Sequence, residues 1–247
     1  MTGPLTEEER WRFDVQGFLV RRGALTDPEL HALNTAVDRL NLPTPDHTIA
    51  KQRFNNHLQC HAAFVRLLDH HSIFDVVREL CGDGVRLDHA YGIVMSPGTA
   101  GLGLHGGNVP FDPAQYYVTD STGIHTGLIA VQWALVDHLK GSGGFACVPG
   151  SHKAAFGLPA SIPMNDAAVI EVELKAGDVV LFTEALTHGT HPWTAPYQRR
   201  TLLNKYSPGS SSWGKDERCP PGLETRLTDR QKLLFEPPYV AYRKPVE

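Results

Sequence analysis

Apolar positions in the first third of the chain recur at helical spacing, whereas beyond Gly84 they fall into short runs that alternate or stay continuously apolar. Thr6 with Glu9 three residues on has the form of a capping box, as does Thr26 with Glu29. The second, assisted by Pro28, predicts a helix reaching about Leu40. Gly17-Phe18-Leu19-Val20 between them reads as a short strand. Ser72 precedes Ile73, Val76, Val77 and Leu80, a spacing that predicts a helix ending near Gly82. The polar stretch 41–56, with Pro43 and Pro45, predicts a loop with the reach of a mobile flap. Strands are predicted over 85–95, 128–136, 169–174, 179–182 and 201–206, punctuated by Gly, Pro, Asp and Ser. Thr228 and Gln231 are placed to cap one last helix before Pro237-Pro238. Helices first and strands afterwards make an α+β chain: a helical part over about 1–84, a β-rich part over about 85–206 and a tail over about 207–247.

A chain of 247 residues is long enough for one domain with a substantial core, and no internal repeat divides it. With 23 Lys+Arg against 27 Asp+Glu the net charge is −4, and no basic stripe is interleaved with aromatics, so nucleic acid is not an expected partner. Cys60, Cys81, Cys147 and Cys219 are too widely spaced for a zinc site or a disulfide framework and read as reduced thiols. Residues 1–11 are polar and acidic, and no later segment is apolar enough to span a bilayer. The expectation is a cytoplasmic protein without membrane contact. Oligomeric state leaves no signal.

Candidate chemistry lies among the 13 histidines. A non-heme Fe(II) oxygenase usually holds its metal with two histidines and one carboxylate on one face. A His-x-Asp pair on a strand supplies two of these, because side chains at i and i+2 point the same way. Here His105-Gly106-Gly107 has the histidine and lacks the carboxylate. Further along come Gly143-Gly144-Phe145, Pro149-Gly150-Ser151-His152-Lys153, Gly177-Asp178-Val179-Val180-Leu181-Phe182, His188-Gly189-Thr190 and Arg199-Arg200.

Taken together, from about Phe18 to Tyr206, these stretches resemble the phytanoyl-CoA dioxygenase family of Fe(II)/2-oxoglutarate enzymes. The resemblance implies a double-stranded β-helix, a cupin-like jelly roll buttressed by N-terminal helices. It implies His105 and His188 as metal ligands, and Arg199, eleven residues after His188, as the anchor of the distal carboxylate of 2-oxoglutarate. A planar guanidinium suits that task because it grips a carboxylate with two parallel hydrogen bonds. Arg200 would face the other way, and His191 does not fit the interval. Three answers remain for the third ligand. Glu184, four residues before His188, reaches the metal if the chain turns there; Asp112 does so if the chain doubles back after Pro110. In the third, no protein group fills the place, and water or chloride binds at the vacancy left by Gly107, the feature that distinguishes the halogenase branch.

The reading is therefore an oxygenase that hydroxylates a C–H bond of a small molecule with Fe(II), 2-oxoglutarate and O₂. A chloride-using halogenase and a jelly-roll binding protein without catalysis are the alternatives. Asn108, Tyr116 and Tyr117, in the polar stretch 108–126, are the expected pocket lining, since loops on a rigid barrel usually carry specificity. Phe111, Trp133 and Trp193 are weaker candidates. Of Asn204 and Lys205 only one can face the cavity. His125 and His138 read as ordinary, and His152 as structural.

Overall fold

The computed structural model describes residues 4–43, 51–215 and 219–247. In chain order the elements are α1 (Glu7–Gln16), β1 (Phe18–Arg21), α2 (Asp27–Asp38), β2 (Lys51–Phe54), α3 (His57–Cys60), α4 (Ala62–Val65), α5 (Phe74–Cys81) and β3 (Arg86–Met95). There follow β4 (Leu102–His105), β5 (Tyr117–Asp120), β6 (Gly123–Thr126), β7 (Ile129–Ala134), β8 (Gly144–Cys147), β9 (Ile170–Glu171), β10 (Val179–Thr183), β11 (His188–His191), β12 (Arg199–Ser207) and α6 (Asp229–Leu234).

The helix starts follow from capping. The Thr6 hydroxyl accepts from the Glu9 amide at 3.1 Å while the Glu9 carboxylate accepts from the Thr6 amide at 3.0 Å, satisfying two backbone donors that no helical carbonyl reaches. Thr228 and Gln231 repeat the arrangement at α6. One expectation is corrected: within 41–56, residues Lys51–Phe54 form an edge strand on β3, so the loop is shorter than its two prolines suggest. The flap expected there falls largely on 44–50, outside the described residues.

Two antiparallel sheets face each other, one ordered β1-β10-β7-β12-β3-β2 and the other β4-β11-β8-β9; β5 and β6 form a separate hairpin. The six-stranded sheet is buried on both faces, which is why β10 is apolar up to Thr183 and β7 is interrupted only by Gln132, rather than alternating. Alternation persists in where the side chains go. Ile129, Val131 and Trp133 join the helices in the larger core, whereas Ala130 and Ala134 join Val180, Phe182, Phe145 and Cys147 between the sheets. The architecture is the expected jelly roll with helices against the outer face of one sheet. β12, paired between β3 and β7, runs through its middle and sends Arg199, Thr201, Leu203 and Lys205 to the same face.

Candidate metal centre

His105 and His188 are direct register partners across β4 and β11, and their ring centroids lie 4.3 Å apart. Glycines let the strands close. A Cβ on Gly101 would stand 1.8 Å from the Thr190 carbonyl oxygen, so β4 enters against β11 only without a side chain there. Each imidazole is oriented by a backbone carbonyl: His105 Nδ1 lies 2.9 Å from Gly103 O and His188 Nδ1 lies 2.7 Å from Leu186 O. A carbonyl only accepts, so both rings carry their proton on Nδ1 and leave the Nε2 lone pair free, as metal-binding histidines require. His188 lies against Phe182 and is buried, which draws its pKa down to about 4 and keeps the ring neutral. His105 is exposed, giving the pair an open side.

Glu184 lies between the end of β10 and the start of β11, with its Oε2 4.0 Å from His188 Nε2. Its other oxygen forms an ion pair with Lys205 Nζ at 2.8 Å. Burial alone would raise the carboxyl pKa; the Lys205 ammonium holds it below the usual carboxylate range, so the group is anionic. Lys205 is the residue of the Asn204-Lys205 pair that faces inward, while Asn204 donates to Leu67 O on the helical side. The free carboxylate oxygen of Glu184 is the anionic donor nearest His188 Nε2 among the described residues and would be the group to complete a site held by the two histidines. Among the described residues no three His, Cys, Asp or Glu side chains already converge on one point, and a shift of this carboxylate is what convergence would need. Two imidazoles and one carboxylate would make a donor set of the kind Fe(II) takes.

Gly106 and Gly107 have φ of +75° and +106°, so the chain leaves the extended conformation directly after His105. The His-x-Asp geometry needs a strand through the second position. A Cβ on Gly107 would meet Thr187 Oγ1 at 3.0 Å. Asp112 does not double back: its Oδ1 accepts from the Ala114 amide at 2.8 Å in a local turn.

Arg199 is buried, and burial lowers its pKa to about 10, leaving it cationic. Its Nη1 faces Met95 Sδ at 3.3 Å, its Nε has no partner, and no carboxylate pairs with it among the described residues. A buried guanidinium left this way is costly unless an anion completes it. Gly144 makes the space: a Cβ there would stand 3.6 Å from Arg199 Nε. Gln132, on the inner face of β7 between Ala130 and Ala134, also has an unpartnered Nε2. These orphaned donors fit a dicarboxylate held between the sheets. Arg200 points outward, as expected, to Asp38 at 2.7 Å.

The pocket lining needs correction. Tyr117 is a core residue that donates to Asp14 Oδ1 at 2.6 Å and packs edge-on against His152. Tyr116 lines a separate cavity with Arg10, Glu79 and Asp120. The stretch 108–126 misled because it closes into the β5–β6 hairpin, which turns both tyrosines toward α1 and α5. Asn108 borders a cleft of about 430 Å³ with Gly107, Phe156 and Thr187, beside the turn that follows His105. Trp193 is buried against His138, and Trp133 lies on the helical side against His70. His138, read as ordinary, stands beside Arg199; the one signal for it is its place at the end of an apolar strand, next to the Gly143-Gly144 turn.

The phytanoyl-CoA dioxygenase (PhyH) family model matches residues 13–201, and the chain belongs to that family of Fe(II)/2-oxoglutarate-dependent oxygenases. Among solved structures it is similar to HygX from Streptomyces hygroscopicus with nickel and 2-oxoglutarate bound. Identity is 25%, covering 85% of this chain and 90% of that one, with a TM-score of 0.78. HygX with nickel, 2-oxoglutarate and hygromycin B bound gives 26% identity, 85% and 90% coverage and a TM-score of 0.77. The fold also matches SnoN, the non-heme α-ketoglutarate-dependent epimerase of nogalamycin biosynthesis, at 18% identity over 83% of this chain and 81% of that one, TM-score 0.64. No curated protein matches the chain. No helix among the described residues is long and apolar enough to cross a membrane.

Proposed function

We propose that this protein is an Fe(II)/2-oxoglutarate-dependent oxygenase that hydroxylates a C–H bond of a small molecule, with His105, His188 and Glu184 as metal ligands and Arg199 as the co-substrate anchor. The observation that carries the reading is the pair of facing imidazoles, each fixed by a backbone carbonyl so that its Nε2 is free, beside a buried anionic carboxylate. The iron-bound form of HygX, and its form with nickel, 2-oxoglutarate and hygromycin B bound, support iron, 2-oxoglutarate and a small-molecule substrate here. When bound, the metal and 2-oxoglutarate supply the oxidising chemistry, in which O₂ converts the 2-oxo acid to succinate and CO₂ while hydroxyl replaces hydrogen on the substrate. The chain's part is to orient. Gly103 and Leu186 carbonyls fix the histidine tautomers, Lys205 holds one oxygen of Glu184 so that the other points toward His188, and Arg199 places the co-substrate.

The halogenase reading rests on Gly107. Its φ of +106° argues for a segment built around glycine rather than a strand that has merely lost its aspartate, and Glu184 is at hand as the anionic ligand. Anaerobic absorbance titration with Fe(II) and 2-oxoglutarate, with and without chloride, separates the readings. The charge-transfer band of the chelated co-substrate is expected to form and to ignore chloride. The Glu184→Gln variant, which keeps shape and removes charge, is expected to bind Fe(II) at least tenfold more weakly. A band that shifts with chloride, together with unchanged iron affinity in E184Q, favours the halogenase; no band leaves a binding protein.

A further inference from the structure

His138 is fully buried, and neither ring nitrogen has a hydrogen-bond partner. A buried histidine kept for structure normally spends at least one nitrogen on a protein group, because an unmet buried donor or acceptor costs roughly 1–3 kcal/mol. The backbone of His138 is fixed by paired bonds with Leu174, and its ring meets the Trp193 indole edge-on with centroids 5.4 Å apart. A Cβ built on Gly144 would stand 3.7 Å from His138 Nδ1 and 3.6 Å from Arg199 Nε, with nothing nearer. The missing side chain of Gly144 therefore opens a space walled on one side by an unpartnered cationic donor and on the other by an unpartnered imidazole.

We propose that His138 shares the distal carboxylate of 2-oxoglutarate with Arg199, donating a ring N–H to one oxygen while the guanidinium holds the other. The inference rests on the reading of Arg199 as co-substrate anchor. A neutral imidazole has one N–H to give, and burial beside Arg199 keeps this ring neutral, so the donor is present without adding a second charge to the pocket. Both groups border the space left by the missing side chain of Gly144.

The test is binding to the full chain loaded with Ni(II), measured by calorimetry, with 2-oxoglutarate and with pyruvate, which chelates through the same 2-oxo acid group but has no distal carboxylate. His138→Leu keeps the packing on Trp193 and removes the donor. It is expected to weaken 2-oxoglutarate about tenfold or more and to leave pyruvate unchanged, and His138→Gln, which restores an N–H, is expected to recover most of the loss. Equal weakening of both ligands, or none of either, overturns the inference. Arg199→Gln is the separate control. If it loses 2-oxoglutarate while H138L does not, the anchor reading stands and the role of His138 falls; if neither weakens binding, both fall. Should H138L fail to fold, ¹⁵N-histidine spectra of the wild type decide the matter, with the His138 signal identified by its absence from H138Q. A shift of that signal with 2-oxoglutarate but not pyruvate is expected, and no shift overturns the inference.

Discussion

Glu184 and Lys205 are each stable inside the protein only because of the other. Both are buried, and the ion pair at 2.8 Å is what offsets their loss of water. Lys205→Met leaves the carboxylate without its cation and is expected to cost about 3–5 kcal/mol in chemical denaturation. The double variant with Glu184→Gln should regain much of that, because no unpaired charge is left. If Glu184 is a metal ligand, Ni(II) restores a positive charge beside it and should raise the melting temperature of K205M by more than that of the wild type; an equal gain would detach Glu184 from the metal. At this scale the sequence was informative wherever spacing carried the signal. The alternation of Arg199 with Arg200 and that of Asn204 with Lys205 both describe the observed faces. His138 was illegible because its importance lies in what its ring lacks, and hydrogen bonds not made leave no trace in a sequence.

Elements with strong apolar runs were legible, and those made of glycine and histidine were not. β3, β7, β10 and β12 lie within two residues of their predicted limits, because each carries buried apolar residues between turn signals, even where β3 and β12 also bury charged side chains. β4 and β11, which carry His105 and His188, are rich in Gly, His and Thr and were not predicted as strands, although they pair with each other across a bulge between His188 and Thr190. The same glycines that hid β4 allow it to form. Gly101→Ala would drive a methyl to 1.8 Å from Thr190 O, pushing the start of β4 off β11 and taking His105 with it. The expected result is a more than tenfold fall in Ni(II) affinity with the far-ultraviolet circular dichroism nearly unchanged, because the helices and the six-stranded sheet do not depend on this contact. Affinity equal to wild type would mean that β4 is not what positions His105.

Over the whole molecule, helices before strands were legible through the change of hydrophobic period and the jelly roll only through the family resemblance, but the response to acid depends on where the fold buries its histidines. His57 is buried between Phe54 and Phe64 with ring centroids 5.7 and 5.0 Å away, and its Nδ1 has no partner; burial lowers its pKa to about 4. His152, under Tyr117, is likewise drawn down to about 4, chiefly by burial and against the pull of Asp14. In both, the folded pKa lies below the unfolded value of about 6.5, so the unfolded chain binds protons first as pH falls. Their contribution is complete above about pH 6.5 and shrinks steadily until it is gone near pH 4, amounting to as much as about 3 kcal/mol each. Carboxylates held low, such as Glu29 at about 2 through Thr26 and His70, lose their contribution only at lower pH. The protein should therefore begin to destabilise between pH 6.5 and 5, earlier than carboxylate protonation alone would allow. His57→Phe, which keeps an aromatic ring against Phe54 and Phe64 and removes the titrating group, is expected to melt higher than wild type at pH 5 by several degrees and by much less at pH 8. Melting curves at the two pH values check this, and a difference independent of pH would show that His57 is not titrating in that window.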